Sequence, residues 1–143
     1  MAIFVIHIEK TRFQIRPLSG GQMRLIAQDL TNSILRRIKS GQNIKDAAAA
    51  SLTEAYLRRK TRKGLSNIRD WFWTGKTLNY MRVVRASPNK AVIGFASQLA
   101  DVVAGAQNKR EKMFGVSRHD RIALYQAVER ELKRTDIVQL RRI

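Results

Sequence analysis

Between Ser19 and Gly41 apolar residues fall at Met23, Ile26, Leu30, Ile34 and Ile38, with Leu25, Ala27 and Leu35 beside them. Steps of three and four residues place these side chains on one face of a helix, and so long an apolar face must be covered by another layer. Both ends of the segment carry stop chemistry. Ser19 followed three residues later by Gln22 is the pattern in which side chains satisfy the free amides of a first turn, and Gly41 offers the left-handed backbone that ends a helix. The covering layer comes from segments with strand chemistry. Ile3 to Ile15 is rich in β-branched and aromatic residues around a polar break at Glu9-Lys10-Thr11, which predicts two short strands before Pro17. Leu78 to Ala86 and Ala91 to Phe95, joined through Ser87-Pro88-Asn89-Lys90, predict a hairpin.

The capping pattern recurs twice. Ser51 with Glu54 predicts a short basic helix from Ser51 to Lys63, carried by Leu52, Ala55, Tyr56 and Leu57 and stopped near Gly64. Ser117 with Asp120 opens a closing helix whose apolar stripe reads Ile122, Tyr125, Val128 and Leu132. Ser97 to Gly105 predicts one more short helix, followed by a charged loop to Lys112, whereas the run Ala47 to Ala50 has no polar face to orient it. The expected fold class is α+β: a small, mostly antiparallel sheet packed against the long amphipathic helix, with further short helices and a C-terminal helix. One domain covers residues 1–134, and residues 135–143 form a basic tail whose ordering awaits assembly.

Composition narrows the partners. A chain of 143 residues that is 44% hydrophobic can bury a core unaided. Its 28 Lys and Arg against 11 Asp and Glu give a net charge of +17, far more than solubility needs. Such self-repulsion calls for an anionic partner, either nucleic acid or an acidic protein surface. With no Cys, disulfides, thiolate zinc sites and a thiol nucleophile are excluded together. The apolar start Ala2 to Ile6 is interrupted by His7 and Glu9 and has no basic residue before it, so it reads as neither a signal peptide nor a membrane span. The expected site of synthesis is the cytoplasm.

Two motifs imitate nucleotide chemistry. Leu18-Ser19-Gly20-Gly21-Gln22 spells the signature of ATP-binding-cassette ATPases, which works only beside a P-loop and an acidic strand end. Only 17 residues precede Leu18, and Arg36-Arg37-Ile38-Lys39 follows instead of an acidic strand. The helix start explains the same residues. Gly75-Lys76-Thr77 resembles the end of a phosphate-binding loop, but Asp70 stands where the first Gly belongs, and Trp71, Phe72 and Trp73 fill the space phosphate requires. His119 and Asp120 are neighbours on a helix and point about 100° apart, a poor base and orienter pair. No catalytic, metal or cofactor constellation is expected.

The densest charge lies at Arg58, Arg59, Lys60, Arg62 and Lys63, with Arg69, Lys76, Arg82 and Arg85 nearby in sequence. A helix cannot bury such a face, so these five residues are the candidate contacts to DNA or to an acidic protein. Neither zinc-finger ligands nor a helix-turn-helix pattern nor stacking aromatics provide base readout.

Three blocks, in order, carry a family resemblance. The first is Ser51-Leu52-Thr53-Glu54-Ala55-Tyr56-Leu57-Arg58-Arg59-Lys60. The second is Ile68 through Leu78, with Thr74-Gly75-Lys76-Thr77-Leu78 at its end, followed by the hairpin closing on Ala91-Val92-Ile93-Gly94-Phe95. The third is Arg110-Glu111-Lys112-Met113-Phe114-Gly115-Val116-Ser117 with Asp120 shortly after. Together they span about half the chain, and in order and spacing they resemble the phage virion-morphogenesis, or tail-completion, proteins that act where head and tail join. The match departs after the hairpin, where Val103-Ala104-Gly105-Ala106-Gln107-Asn108 keeps only part of the family's pattern, and before the final block, where a proline is missing.

The resemblance implies a non-enzymatic virion subunit arranged with copies of itself in a ring. Neighbouring neck, connector or tail-tube proteins would be its partners, DNA would pass through the channel, and no membrane or cofactor would be involved. It also marks Ser51, Tyr56, Thr74, Gly75, Leu78, Gly94, Phe114, Gly115, Ser117 and Asp120 as motif residues of the fold. Composition by itself favours a free nucleic-acid-binding protein of the ribosomal or nucleoid-associated kind. A toxin or nuclease with a scattered site is a third reading, and it would require His7, His119 or a carboxylate.

Overall fold

A computed structural model describes residues 4–7, 18–67 and 76–140 of the chain. The elements run β1 (Phe4–His7), α1 (Gly20–Lys39), α2 (Glu54–Arg62), α3 (Lys76–Asn79), β2 (Met81–Ser87), β3 (Lys90–Phe95), α4 (Gln98–Asn108) and α5 (Arg118–Leu140). The architecture is α+β. The three strands form one antiparallel sheet in the order β1-β3-β2, with β3 in the centre pairing Ile93 with Phe4 on one side and with Val83 on the other. Helix α1 lies between layers, packed on β2 and β3 on one side and on α5 on the other.

The apolar stripe explains that position. Met23, Ile26, Ala27, Leu30, Ile34 and Ile38 are fully buried, as their spacing requires, and they meet Ala91 and Ile93 of the sheet in one core. Leu25, between two stripe positions, turns outward and is 43% exposed. The start of α1 is the reciprocal cap expected from the sequence: the Gln22 amide donates to Ser19 Oγ at 3.1 Å, and the Ser19 amide donates to Gln22 Oε1 at 2.9 Å. The end is a Schellman turn at Gly41, whose φ is +76°, with its amide donating to the Ile38 carbonyl and the Gln42 amide to the Arg37 carbonyl. Helix α2 ends the same way at Gly64, φ +67°.

Several expectations need correction. Helix α2 is capped at Thr53, whose side chain makes no capping bond, so Ser51 lies two residues outside the helix and Glu54 becomes its first residue. A carboxylate there suits the positive end of the helix dipole, which stands in for the lost cap. Leu78 is not in the hairpin. It is buried within the single turn α3, and the first strand begins at Met81. Helix α4 continues past Gly105 to Asn108, and the loop after it is shorter than the charge run suggests.

Within α5, Ile122 and Tyr125 are 47% and 68% exposed, while Asp120, Ala127 and Glu131 are buried and Leu124, Val128 and Leu132 half-buried. The face turned to α1 is therefore rotated from the one the apolar residues suggest. Helical backbone continues to Leu140, beyond the boundary drawn at residue 134. The second strand expected before Ile15, the aromatic run Trp71 to Trp73, and Thr74 and Gly75 lie outside the described residues.

The hairpin carries one irregularity. Register shifts between Val83 and Arg85, so Val84 has no opposite residue and is 54% exposed, a bulge that twists the strand.

Two substitutions separate end from middle in α1. Ser19→Ala should lower stability by about 1 kcal/mol, and Ile34→Ala by about 2–5 kcal/mol through lost contact and an unfilled cavity. Urea denaturation of both variants beside the wild type measures the difference.

Candidate functional site

The most heavily bonded polar group in the described structure is a buried ion pair. Arg37 Nε donates to Asp120 Oδ2 at 2.9 Å, with the two side chains 4% and 1% exposed. The rest of the guanidinium is satisfied by backbone: Nη1 donates to the carbonyls of Gln42 at 3.1 Å and Met113 at 2.9 Å, and Nη2 to that of Gly115 at 2.7 Å. Asp120 is equally engaged. Its Oδ1 accepts from Ser33 Oγ at 2.7 Å and its Oδ2 from the Ser117 amide at 3.0 Å, while the Asp120 amide donates to Ser117 Oγ at 3.1 Å. The predicted cap at Ser117 and Asp120 is thus present, and its carboxylate has a second task. One side chain from α1 and one from α5 fix the helices to each other and to the loop 113–115.

Of the other motif residues, Phe114 and Gly115 belong to the loop of this joint, whereas Tyr56 and Ser51 lie in and before α2. Phe114 is buried and meets Phe95 of β3 edge to face, with ring centroids 5.3 Å apart. Gly115 lies against Ile44 so closely that a Cβ would sit 2.9 Å from its Cγ2. Asn108, at the end of α4, accepts from the amides of Met113 and Phe114 at 2.9 and 3.0 Å and shapes the same loop. Gly94 is buried in the central strand opposite Arg82, Tyr56 is half-buried on α2, and Ser51 is exposed.

Asp46 holds the other side of the joint. With φ +57°, it accepts from the His119 amide at 3.2 Å and from His119 Nδ1 at 3.0 Å. Burial alone would raise its carboxyl, but hydrogen bonds from Ser117 and from the His119 amide and imidazole outweigh it and hold the group below the ordinary carboxylate range. His119 therefore faces Asp46, whereas Asp120 faces Arg37, as the 100° between neighbours on a helix requires.

The basic segment does not form one charged face. Lys60 is 1% exposed, with Nζ 3.4 Å from Ser66 Oγ, which corrects its place among the outward contacts. Helical spacing explains this, since the stretch that spreads five cations around α2 must turn at least one of them inward. Arg58 pairs with Glu54 one turn earlier, while Arg59, Arg62 and Lys63 are exposed. Asp29 bonds Arg130 at 2.6 Å, Glu129 bonds Lys133 at 2.8 Å, Glu131 bonds Arg130 and Arg134, and Glu111 accepts from Asn43. Among the described residues few carboxylates remain to neutralise the surface.

Arg37 escaped the sequence reading, although a signal was present. It stands three residues after Ile34, on the apolar stripe, where a cation must find a buried anion or leave the core. Among the described residues no group of three His, Asp or Glu gathers that could hold a metal ion. No helix described is long and apolar enough to cross a membrane. No family model, curated protein or solved structure matches the chain.

Asp120→Ala leaves Arg37 buried without its anion and should cost about 3–5 kcal/mol, whereas the double replacement Arg37→Met with Asp120→Leu should recover much of that loss. Thermal and urea melts of the three proteins check the coupling. For Asp46 the lowered folded pKa means its stabilisation is present above the unfolded value and is lost as pH falls through the folded one, below about pH 4. The stability gap between wild type and Asp46→Asn should accordingly shrink on acidification, as read by urea midpoints at a series of pH values.

Proposed function

We propose that the chain is a non-enzymatic structural subunit of a phage virion, acting in tail completion or head-tail joining as part of a neck or tail-end ring. The observation that supports this best is where the third motif block sits. Phe114, Gly115, Ser117 and Asp120, the residues by which that block resembles the tail-completion proteins, are the ones that tie loop, α1 and α5 together. A signature made of fold-determining residues suits a subunit whose task is to present surfaces to neighbours. Cyclic rings join unlike patches head to tail, so the subunit would offer one surface to the preceding copy and another to the next. Connector or tail-tube proteins would flank the ring and DNA would cross it, with assembly in the host cytoplasm and residence at the head-proximal end of the tail.

The charge of +17 favours one alternative, a free nucleic-acid-binding protein. Mass spectrometry of gradient-purified particles, counting copies of this chain against the portal protein, decides between them. A small fixed number of ring size is expected, and absence from particles would overturn the virion reading. Within that reading the exposed pair Arg59 and Arg62 carries the partner contact on α2. Arg59→Glu with Arg62→Glu should block head-tail joining with an unchanged circular dichroism spectrum, and a normal infectious yield would remove α2 from the interface.

A further inference from the structure

Helix α1 has an outer face that nothing in the core explains. Arg24, Gln28, Asn32, Arg36 and Lys39 are all exposed and follow one another at helical spacing, forming a ridge about 22 Å long. Grooves flank it on both sides. One, of about 730 Å³, runs between α1 and α5 over a floor that includes Leu35, Ala123 and Ala127. The other, of about 280 Å³, runs between α1 and β2 and brings Arg82 to the same side as Arg24. Asn32 and Leu35 border both grooves, so ridge and grooves form one continuous surface.

The ridge cations have no partner within the described residues. The side chains of Arg24, Arg36, Lys39 and Arg82 make no hydrogen bond or ion pair there. Arg130, across the larger groove, differs: Asp29 and Glu131 bond it and raise it above the ordinary guanidinium range. Arg36 and Lys39 could serve the negative end of the helix dipole, since they lie in the last turn of α1. That account fails at the other end. Arg24 lies one turn into α1, whose first turn has no acidic residue, so the dipole opposes a cation there.

The geometry points to the outer ridge of α1, with Arg82 beside it, as the seat of the phosphate backbone of double-helical DNA. Phosphate oxygens accept from Arg, Lys, Asn and Gln alike, and these are the five residue positions of the ridge. A protein partner fits less well, because the ridge has Arg but none of the aromatic or large apolar residues that form the buried centre of a protein interface beside it. A second copy fits worst. Each copy carries +17, and among the described residues the carboxylates of Asp29, Glu129 and Glu131 are already bonded within their own chain. No aromatic platform on the ridge stacks unpaired bases, which favours a duplex over a single strand. This assignment is independent of the virion reading, since the ridge would act in a ring or in a free chain.

The test is fluorescence anisotropy of the full chain with a labelled DNA duplex over a range of NaCl concentrations. Four free cations predict a plot of log affinity against log salt with a slope of about −3.6. Two duplexes of unrelated sequence should bind alike. The variant Arg36→Gln with Lys39→Gln should flatten the slope by about 2 and weaken binding about tenfold or more at moderate salt, while keeping the wild-type melting temperature. Arg59→Gln with Arg62→Gln, on α2, should leave the slope unchanged. Absence of duplex binding, a wild-type slope in the ridge variant, or loss confined to the α2 variant would each overturn the assignment. So would tighter binding to an RNA duplex of the same sequence, or displacement of DNA by polyglutamate at lower charge concentration than by unlabelled duplex, which would assign the ridge to RNA or to an acidic protein.

Discussion

The arrangement of this chain depends on bringing one charge pair out of water. A guanidinium and a carboxylate buried together are costly to desolvate, and the pair is tolerated only where every remaining donor and acceptor is satisfied. Arg37 and Asp120 meet that condition through the carbonyls of Gln42, Met113 and Gly115, the Ser33 hydroxyl and the Ser117 amide. The requirement is geometrically demanding, because two stretches distant in sequence, 33–42 and 113–120, must arrive together. It also sets the rotation of α5. With Asp120 turned to α1, the residues three, four, seven and eleven positions later turn with it, so Ala127 and Glu131 enter the interface and Ile122 and Tyr125 leave it. A hydrophobic driving force alone would have chosen the larger side chains.

That competition marks where the fold is legible in the sequence. Features decided within a few residues are visible: the cap of Ser19 and Gln22, the box of Ser117 and Asp120, the stops at Gly41 and Gly64, and the stripe from Met23 to Ile38. The hairpin turn is of the same kind. Features decided by partners far along the chain are not visible. Leu78 has the chemistry of a strand residue but is buried in a turn against the core, and Lys60 has the chemistry of a surface but is enclosed. Ser51 shows a subtler limit, since its spacing to Glu54 is right and the chain simply enters the helix two residues later.

The candidate surfaces follow the same division. A run of cations in sequence drew attention to α2, yet within that run one charge is buried and one is paired to its neighbour a turn away. The cations of α1 are spread over sixteen residues and look unremarkable in sequence, while the helix aligns them in space. Density along a chain and density on a surface are different quantities, and only the second is felt by a polyanion. Packing decides which of the many Lys and Arg side chains stand together.

The bulge in β2 bears on how such a chain could assemble. Val84 interrupts the pairing, and Arg82 and Arg85 stand exposed beside it on the strand that ends the sheet order. A twisted strand with repelling guanidinium groups is a poor template for another strand, so copies of this chain would not extend one another's sheets along β2. At that edge, contact between copies would fall to side chains instead of backbone, and side chains, unlike a backbone ladder that accepts any strand, let the chain choose its neighbour.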